Sequence, residues 1–351
     1  MEECENKKGK MTRKGFLRVI GSIGAGSVIV GGVGNLAYQM FAKPDELFYP
    51  TNDKKGSAPV RSAYASPYKK ISSFKTPEPI ESFELYEQQM VVASSQHVYL
   101  YDAGGILGHQ FATNGEVMDV TVSDGLIYVL YPMHVDVFDI QGMKVREWEA
   151  CDENADYCSL TVFGDNVFIT DAQNKLMCKY LTDGTFVKFI HSPQGFVVPS
   201  YSFGVMNMNG VVYCSNPGRH TIESYSADGE FMASFGETGI KEGHFSGCCN
   251  PVYVTSNASG EIITSEKGIP RISCYSKEGE FRSVLLDEKD LGGGHDAYEV
   301  RVDHDKLVVA GKNQISTYQF DPSVIAQSDA YLLGKCATCD IECPLRVGVT
   351  I

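Results

Sequence analysis

From residue 68 to residue 320 the chain alternates short apolar–polar runs with turns rich in glycine. The clearest stretch lies between Pro251 and Leu286. Pro251-Val-Tyr-Val-Thr255 is a short alternating strand, and Asn257-Ala-Ser-Gly260 turns the chain. Glu261-Ile-Ile-Thr-Ser265 and Arg271-Ile-Ser-Cys-Tyr275 form two more strands. Lys277-Glu-Gly279 turns again, and Glu280 to Leu286 forms a fourth. Such alternation packs one face of a sheet on a neighbour. Glycine supplies the positive φ that a tight hairpin requires.

The same pattern recurs along the chain. A Tyr or Phe stands four residues before a turn glycine, or once before a proline, at Tyr101, Phe138, Tyr180, Tyr225, Tyr275 and Tyr318. The steps between these anchors are 37, 42, 45, 50 and 43 residues. A period near 40 built from strands predicts an all-β chain folded as a six-bladed β-propeller, with one four-stranded blade per repeat. A fourth strand ending in a large apolar residue follows five of the six turns, as from Met143 to Trp148. None follows Asp321-Pro322. Residues 68–75 (YKKISSFK) supply the missing strand, so they are expected to pair beside the Tyr318 strand and close the ring.

Phe235-Gly-x-x-Gly239-x-x-x-Gly243-x-Phe245, leading to Pro251 and then to strand, turn and strand, resembles the NHL-repeat family. Gly195-Phe196-Val-Val-Pro199 repeats its G-F-x-x-P element. The resemblance is good across residues 190–290 and looser elsewhere. It implies a propeller that is commonly six-bladed. The stretch GCCNP at 247–251 with SEKGIPR at 265–271 is similar to bacterial exported NHL proteins, and no activity comes with that similarity.

Function is sought where the repeat breaks. The family pattern usually has two residues between Phe and Pro, whereas Ser-Gly-Cys-Cys-Asn separates Phe245 from Pro251. Cys248 and Cys249 therefore sit in an enlarged loop at one mouth of the ring. Cys151 and Cys158 occupy a comparable place in blade three and are candidate secondary rim thiols. Cys178, Cys214 and Cys274 lie inside strands and read as small core residues.

The second break is the tail, residues 323–351, with Cys336-Ala-Thr-Cys339-Asp-Ile-Glu-Cys343-Pro344. Its C-x2-C-x3-C-P spacing equals the last three cysteines of the bacterial ferredoxin run. Closely spaced thiolates suit an iron–sulfur cluster or zinc. The first cysteine of the ferredoxin pattern is absent, so a fourth ligand has to come from elsewhere, with Cys248 or Cys249 the candidates. Structural disulfides are the competing reading. Once Cys4 is set aside, ten of the 11 cysteines remain, an even number.

Charge and the N-terminus set the compartment. The net charge is −14. Six basic and three acidic groups fall in the first 18 residues, leaving 24 basic against 41 acidic groups beyond. A body this acidic repels phosphate backbones, which argues against nucleic-acid binding. Thr12-Arg13-Lys14-Gly15-Phe16-Leu17-Arg18 precedes an uncharged, glycine-rich stretch at 19–37. The order resembles a twin-arginine export signal, with Arg13, Lys14, Phe16 and Leu17 carrying the likeness and Lys14 in place of the second arginine. Residues 1–42 are therefore expected to be a signal or a membrane anchor, 43–66 a linker and 67–322 the propeller. Basic residues ahead of the apolar stretch place the body outside. The expected setting is the periplasm or the outer face of the cytoplasmic membrane, with membrane contact through 19–37 if the segment is retained.

Other chemistry is weakly marked. Gly292-Gly-Gly-His295-Asp296 and Asp303-His304-Asp305 read as solvated turns. His220 reads as a turn residue, and Glu266 with Arg271 as a salt bridge between blades. No Ser-His-Asp order or phosphate loop is apparent. The sequence thus points to an exported propeller with a Cys-ligated centre, expected to be iron–sulfur, serving electron transfer beside protein partners such as a membrane redox complex. The alternative is a protein-binding scaffold stapled by disulfides.

Overall fold

The computed structural model describes residues 66–200 and 202–323. All belong to the second of two compact units, Pro59–Ile351. The signal-like segment, the linker up to residue 65 and the tail cysteines Cys336, Cys339 and Cys343 lie outside the described residues.

The described chain forms six four-stranded antiparallel sheets. Blade one spans Ser82 to Ala112, blade two Asp119 to Glu149, blade three Tyr157 to Ile190, blade four Val205 to Phe235 and blade five Tyr253 to Leu286. Blade six joins Glu299–Asp303, Lys306–Ala310 and Gln314–Phe320 to Tyr68–Lys75. The first strand of each blade lies innermost. These inner strands neighbour one another around a ring that returns from blade six to blade one. The all-β six-bladed propeller expected from the repeat is the fold observed.

The ring closes as the strand count requires. Tyr68–Lys75 pairs antiparallel with Gln314–Phe320, with Lys70 opposite Tyr318 and Phe74 opposite Ile315. The pairing hides an edge that would otherwise offer unpaired N–H and C=O groups to another chain.

The core is divided among six apolar clusters, one at each blade interface. Between blades four and five, for example, Met206, Tyr213 and Ile222 meet Phe245, Val254, Ile262 and Tyr275. Each fully buried side chain of this size contributes about 1.5–3 kcal/mol before entropy is counted. The anchor repeat has a packing reason as well as a turn reason. The ring of Phe74 packs 4.9 Å from Tyr101, and Phe111 packs 4.8 Å from Phe138. The glycine after each of the first five anchors then passes beneath a side chain of the neighbouring outer strand. A Cβ would lie 2.4 Å from Phe74 at Gly105, 2.6 Å from Phe111 at Gly142 and 2.4 Å from Ile190 at Gly229. The outer strand of one blade is thereby seated on the turn of the next.

A belt of buried polar side chains joins the inner strands. Glu299 of blade six contacts Ser82 Oγ of blade one at 3.1 Å and accepts from Phe83 N–H at 3.2 Å. Ser82 donates to Asp119 of blade two at 2.6 Å. Asp119 also accepts from Ser159 Oγ and Leu160 N–H of blade three, at 2.6 and 2.9 Å. Arg301 completes the seam between blades six and one, reaching Glu299 at 2.8 Å and Glu84 at 3.1 Å.

Two expectations are corrected. Glu266 and Arg271 face each other within blade five, on adjacent strands, and do not link two blades. The pair is bidentate, at 2.6 and 2.9 Å, and fully enclosed. Cys158 is no rim thiol. The inner strand of blade three begins at Tyr157, and a bulge between Tyr157 and Ser159 puts Cys158 into the blade three–four core beside Phe168 and Cys214.

Candidate functional site

Loops that enter a blade, and turns between its second and third strands, all emerge on one edge of the ring. The longest entering loop runs from 236 to 252, ahead of blade five. Its path is fixed by Phe245, which is fully buried. A bridge pairs Thr238 with Phe245, and Phe245 N–H donates to Glu237 O at 2.8 Å. Gly236, at φ +117°, lies where a Cβ would strike His220 O at 2.5 Å and the Phe245 ring at 2.8 Å. Arg271, already held by Glu266, also donates to the carbonyls of Ile240 and His244. Gly236 and the buried ion pair thus shape one loop.

That loop ends in Ser246–Pro251, which is tied on both flanks. His220 Nε2 meets the Gly247 carbonyl at 2.6 Å. A carbonyl only accepts, so Nε2 carries the proton and Nδ1 accepts from the Thr238 hydroxyl at 2.9 Å. Buried Asn250 donates to the carbonyls of Ser246 and Lys267 at 2.7 and 2.8 Å, and accepts from Lys267 N–H at 2.9 Å. Between these ties stand Cys248, exposed, and Cys249, buried. Their sulfurs lie 3.3 Å apart.

The electrostatics favour one thiolate in the pair. The hydrogen bond from Cys248 pulls Cys249 down to about 5; burial opposes this, while Lys267 and Ser200 assist it. Sharing that bond pushes Cys248 the other way, as does its own partial burial. Lys267 Nζ donates to Ser200 Oγ at 2.8 Å and lies 3.4 Å from Ser202 Oγ. A low-lying thiolate beside an ammonium is a nucleophile and a soft metal donor.

Cys151 is exposed on the same edge, in the loop entering blade three. Its sulfur stands 3.9 Å from Cys178. Cys178, Cys214 and Cys274 are buried within strands, as their positions predict. Among the described residues, no three His, Cys, Asp or Glu side chains gather as a metal-ligand set. Sequence reasoning missed His220 as the support of Gly247, and it missed Asn250, Lys267, Ser200 and Ser202. Asn250 and Lys267 carried a signal, inside the GCCNP and SEKGIPR stretches; Ser200 and Ser202 carried none.

Comparison with solved structures places the chain in the propeller class. It resembles a virginiamycin B lyase from Staphylococcus aureus at 11% identity and a TM-score of 0.51, over 72% of this chain and 99% of that one. A catalytically inactive variant of that lyase with quinupristin gives 12% identity and 0.50, over 72% and 98%. The WD40 domain of Neurospora crassa Pan2 gives 7% and 0.50, over 72% and 95%. Identities this low establish the fold alone. No protein-family model matches the chain, and no curated protein matches its sequence.

Proposed function

We propose that this chain is an exported propeller whose rim supplies ligands to a cysteine-bound metal centre. The observation that carries this reading is the pair of sulfurs at Cys248 and Cys249, 3.3 Å apart on a loop clamped by His220 and Asn250. Soft donors in that arrangement fit iron or zinc. Cys336, Cys339 and Cys343 provide the remaining thiolates, in a spacing shared with ferredoxins.

Chain length supports the assembly. The third strand of blade six ends at Phe320, on the edge opposite the cysteine loop. Thirteen residue steps separate Ser323 from Cys336. At extended length they reach about 40 Å, twice the height of a six-residue strand. An iron–sulfur cluster held there supplies one-electron transfer. The protein's residues hold the ligands in place, and the export-like N-terminus positions the centre outside the cytoplasmic membrane, near a membrane redox partner.

The test is anaerobic purification of the full chain from cells, followed by iron, zinc and acid-labile sulfide analysis and an absorption spectrum. Bound iron with sulfide is expected in the parent chain, lost in C339S and reduced in C249S. Colourless protein with neither iron nor zinc overturns the reading.

A second reading, a protein-binding scaffold, draws on exposed apolar side chains of the outer strands. Phe186, Val187 and Phe189 of blade three, with Phe231 and Met232 of blade four, all face solvent. Disulfides involving Cys336, Cys339 or Cys343 in native protein favour this reading.

A further inference from the structure

A second pair of cysteines lies apart from the rim loop. Cys151 is exposed, in the loop that enters blade three, whereas Cys178 is buried in the third strand of that blade. Their sulfurs are 3.9 Å apart although 27 positions separate them in sequence. Two tyrosines complete the cluster. The Cys151 N–H donates to Tyr180 Oη at 3.0 Å, and the Tyr180 and Tyr157 hydroxyls meet at 2.6 Å. The Tyr157 hydroxyl in turn donates to Cys178 Sγ at 3.9 Å. One consistent direction of donation runs Cys151 N–H, Tyr180 O–H, Tyr157 O–H, Cys178 sulfur.

We propose that Cys151 and Cys178 form a redox-active pair that takes up oxidising equivalents from a hydroperoxide and closes as a disulfide. The exposed and buried halves have different tasks. Cys151 meets the oxidant from solvent. Its sulfur attacks the peroxide, an S–O bond forms, the O–O bond breaks, and an alcohol or water leaves with the proton. Cys178 then attacks the Cys151 sulfur. The S–S bond forms, the S–O bond breaks, and hydroxide departs with the Cys178 proton as water. Two thiols and one hydroperoxide give one disulfide, one alcohol and one water.

The environment suits that division. Burial, with the Cys151 sulfur close by, holds Cys178 as a thiol in the reduced protein, so it does not react alone. The Tyr157 hydroxyl favours negative charge on the Cys178 sulfur as it becomes the nucleophile. Closure needs the sulfurs to approach from 3.9 Å to about 2 Å, the bonded distance. Cys151 can make that move because it sits on an exposed loop, outside the sheet ladders. The product ties the loop entering blade three to the third strand of that blade. This chemistry is independent of the proposed metal centre, which uses none of these residues.

The test treats the full chain with hydrogen peroxide, blocks free thiols and maps peptides without reduction. The expected product is a Cys151–Cys178 cross-linked peptide lighter by two hydrogens, restored to two thiols by a reductant. In C178A, Cys151 is expected to stop at sulfenic acid, trapped by dimedone. In C151S, Cys178 is expected to remain a thiol, and the metal content is expected to match that of the parent. The proposal is overturned if Cys151 accumulates as sulfenic acid in the parent while Cys178 stays free, or if Cys151 pairs with another cysteine. The C151S change is at an exposed site, so it reports even if C178A fails to fold.

Discussion

Gly279 lies directly beneath the ring of Phe235, and a Cβ built on it would sit 2.2 Å from that ring. Gly279 belongs to the turn after the blade-five anchor Tyr275, and Phe235 ends the outer strand of blade four. Phe235 also packs 5.5 Å from Tyr275. One contact therefore couples the turn, the anchor and the blade interface.

Gly279→Ala is expected to lose at least about 2 kcal/mol, because alanine is strained at φ +88° and its methyl group meets the ring. Phe235→Ala removes the ring and is expected to lose about 3 kcal/mol. The double variant should lose less than the two losses added, since the clash has no partner left. Urea unfolding of the three variants measures this. Strict additivity would mean that the glycine is there for its φ alone.

This contact explains why the fold was legible from the chain. The anchors, the turn glycines and the large residue ending each outer strand are local signals, and all three serve one interface. The missing strand after Asp321-Pro322 pointed to Tyr68–Lys75 because a blade needs four strands. The site was legible only in its cysteines. Its supports are long-range: Lys267 reaches Ser200 across 67 positions, and His220 reaches Gly247 across 27. No spacing rule announces such partners. Cys158 misled because a one-residue bulge turned it into the core, and a bulge leaves little trace in sequence.

Deleting residues 68–75 is expected to open the ring. Gln314–Phe320 would become an unpaired edge, and Gly105 with Tyr101 would lose the covering ring of Phe74. A lower melting temperature and self-association on size-exclusion chromatography are the expected results. A monomer as stable as the parent would show that closure by this strand is dispensable.

Stability should depend on pH through Glu299. Burial pushes its carboxyl up to about 7; Arg301 pulls it down and Asp119 pushes it up. The group is raised above its unfolded value of 4.5. Its contribution is therefore fully present below about pH 4.5 and is lost as pH rises through about 7. Glu299→Gln removes the titration: its one oxygen can still accept from Ser82 and Arg301, which both meet Oε1, although its amide nitrogen then faces the Phe83 N–H. The stability of the parent relative to Glu299→Gln should fall by up to about 3 kcal/mol between pH 5 and pH 8. Parallel stability curves for the two proteins would contradict this.

Asn250 is the residue on which the placement of the cysteine pair most depends. Its amide satisfies three backbone groups: the carbonyls of Ser246 and Lys267 and the Lys267 N–H. Asn250 is almost fully enclosed, so water cannot readily replace those bonds. Asn250→Ala leaves all three groups unpaired and is expected to cost about 3 kcal/mol or more. Asn250→Asp keeps the acceptor for Lys267 N–H but sets a carboxylate oxygen against two carbonyls, so it should be no better than alanine. Freeing this flank should also expose Cys249, which is buried in the parent. Alkylation by a neutral reagent, read peptide by peptide, should rise at Cys249 in both variants while the already exposed Cys248 changes little. If Cys249 labels at the parental rate in Asn250→Ala, the loop is held by His220 and Phe245 alone, and the role assigned to Asn250 is wrong.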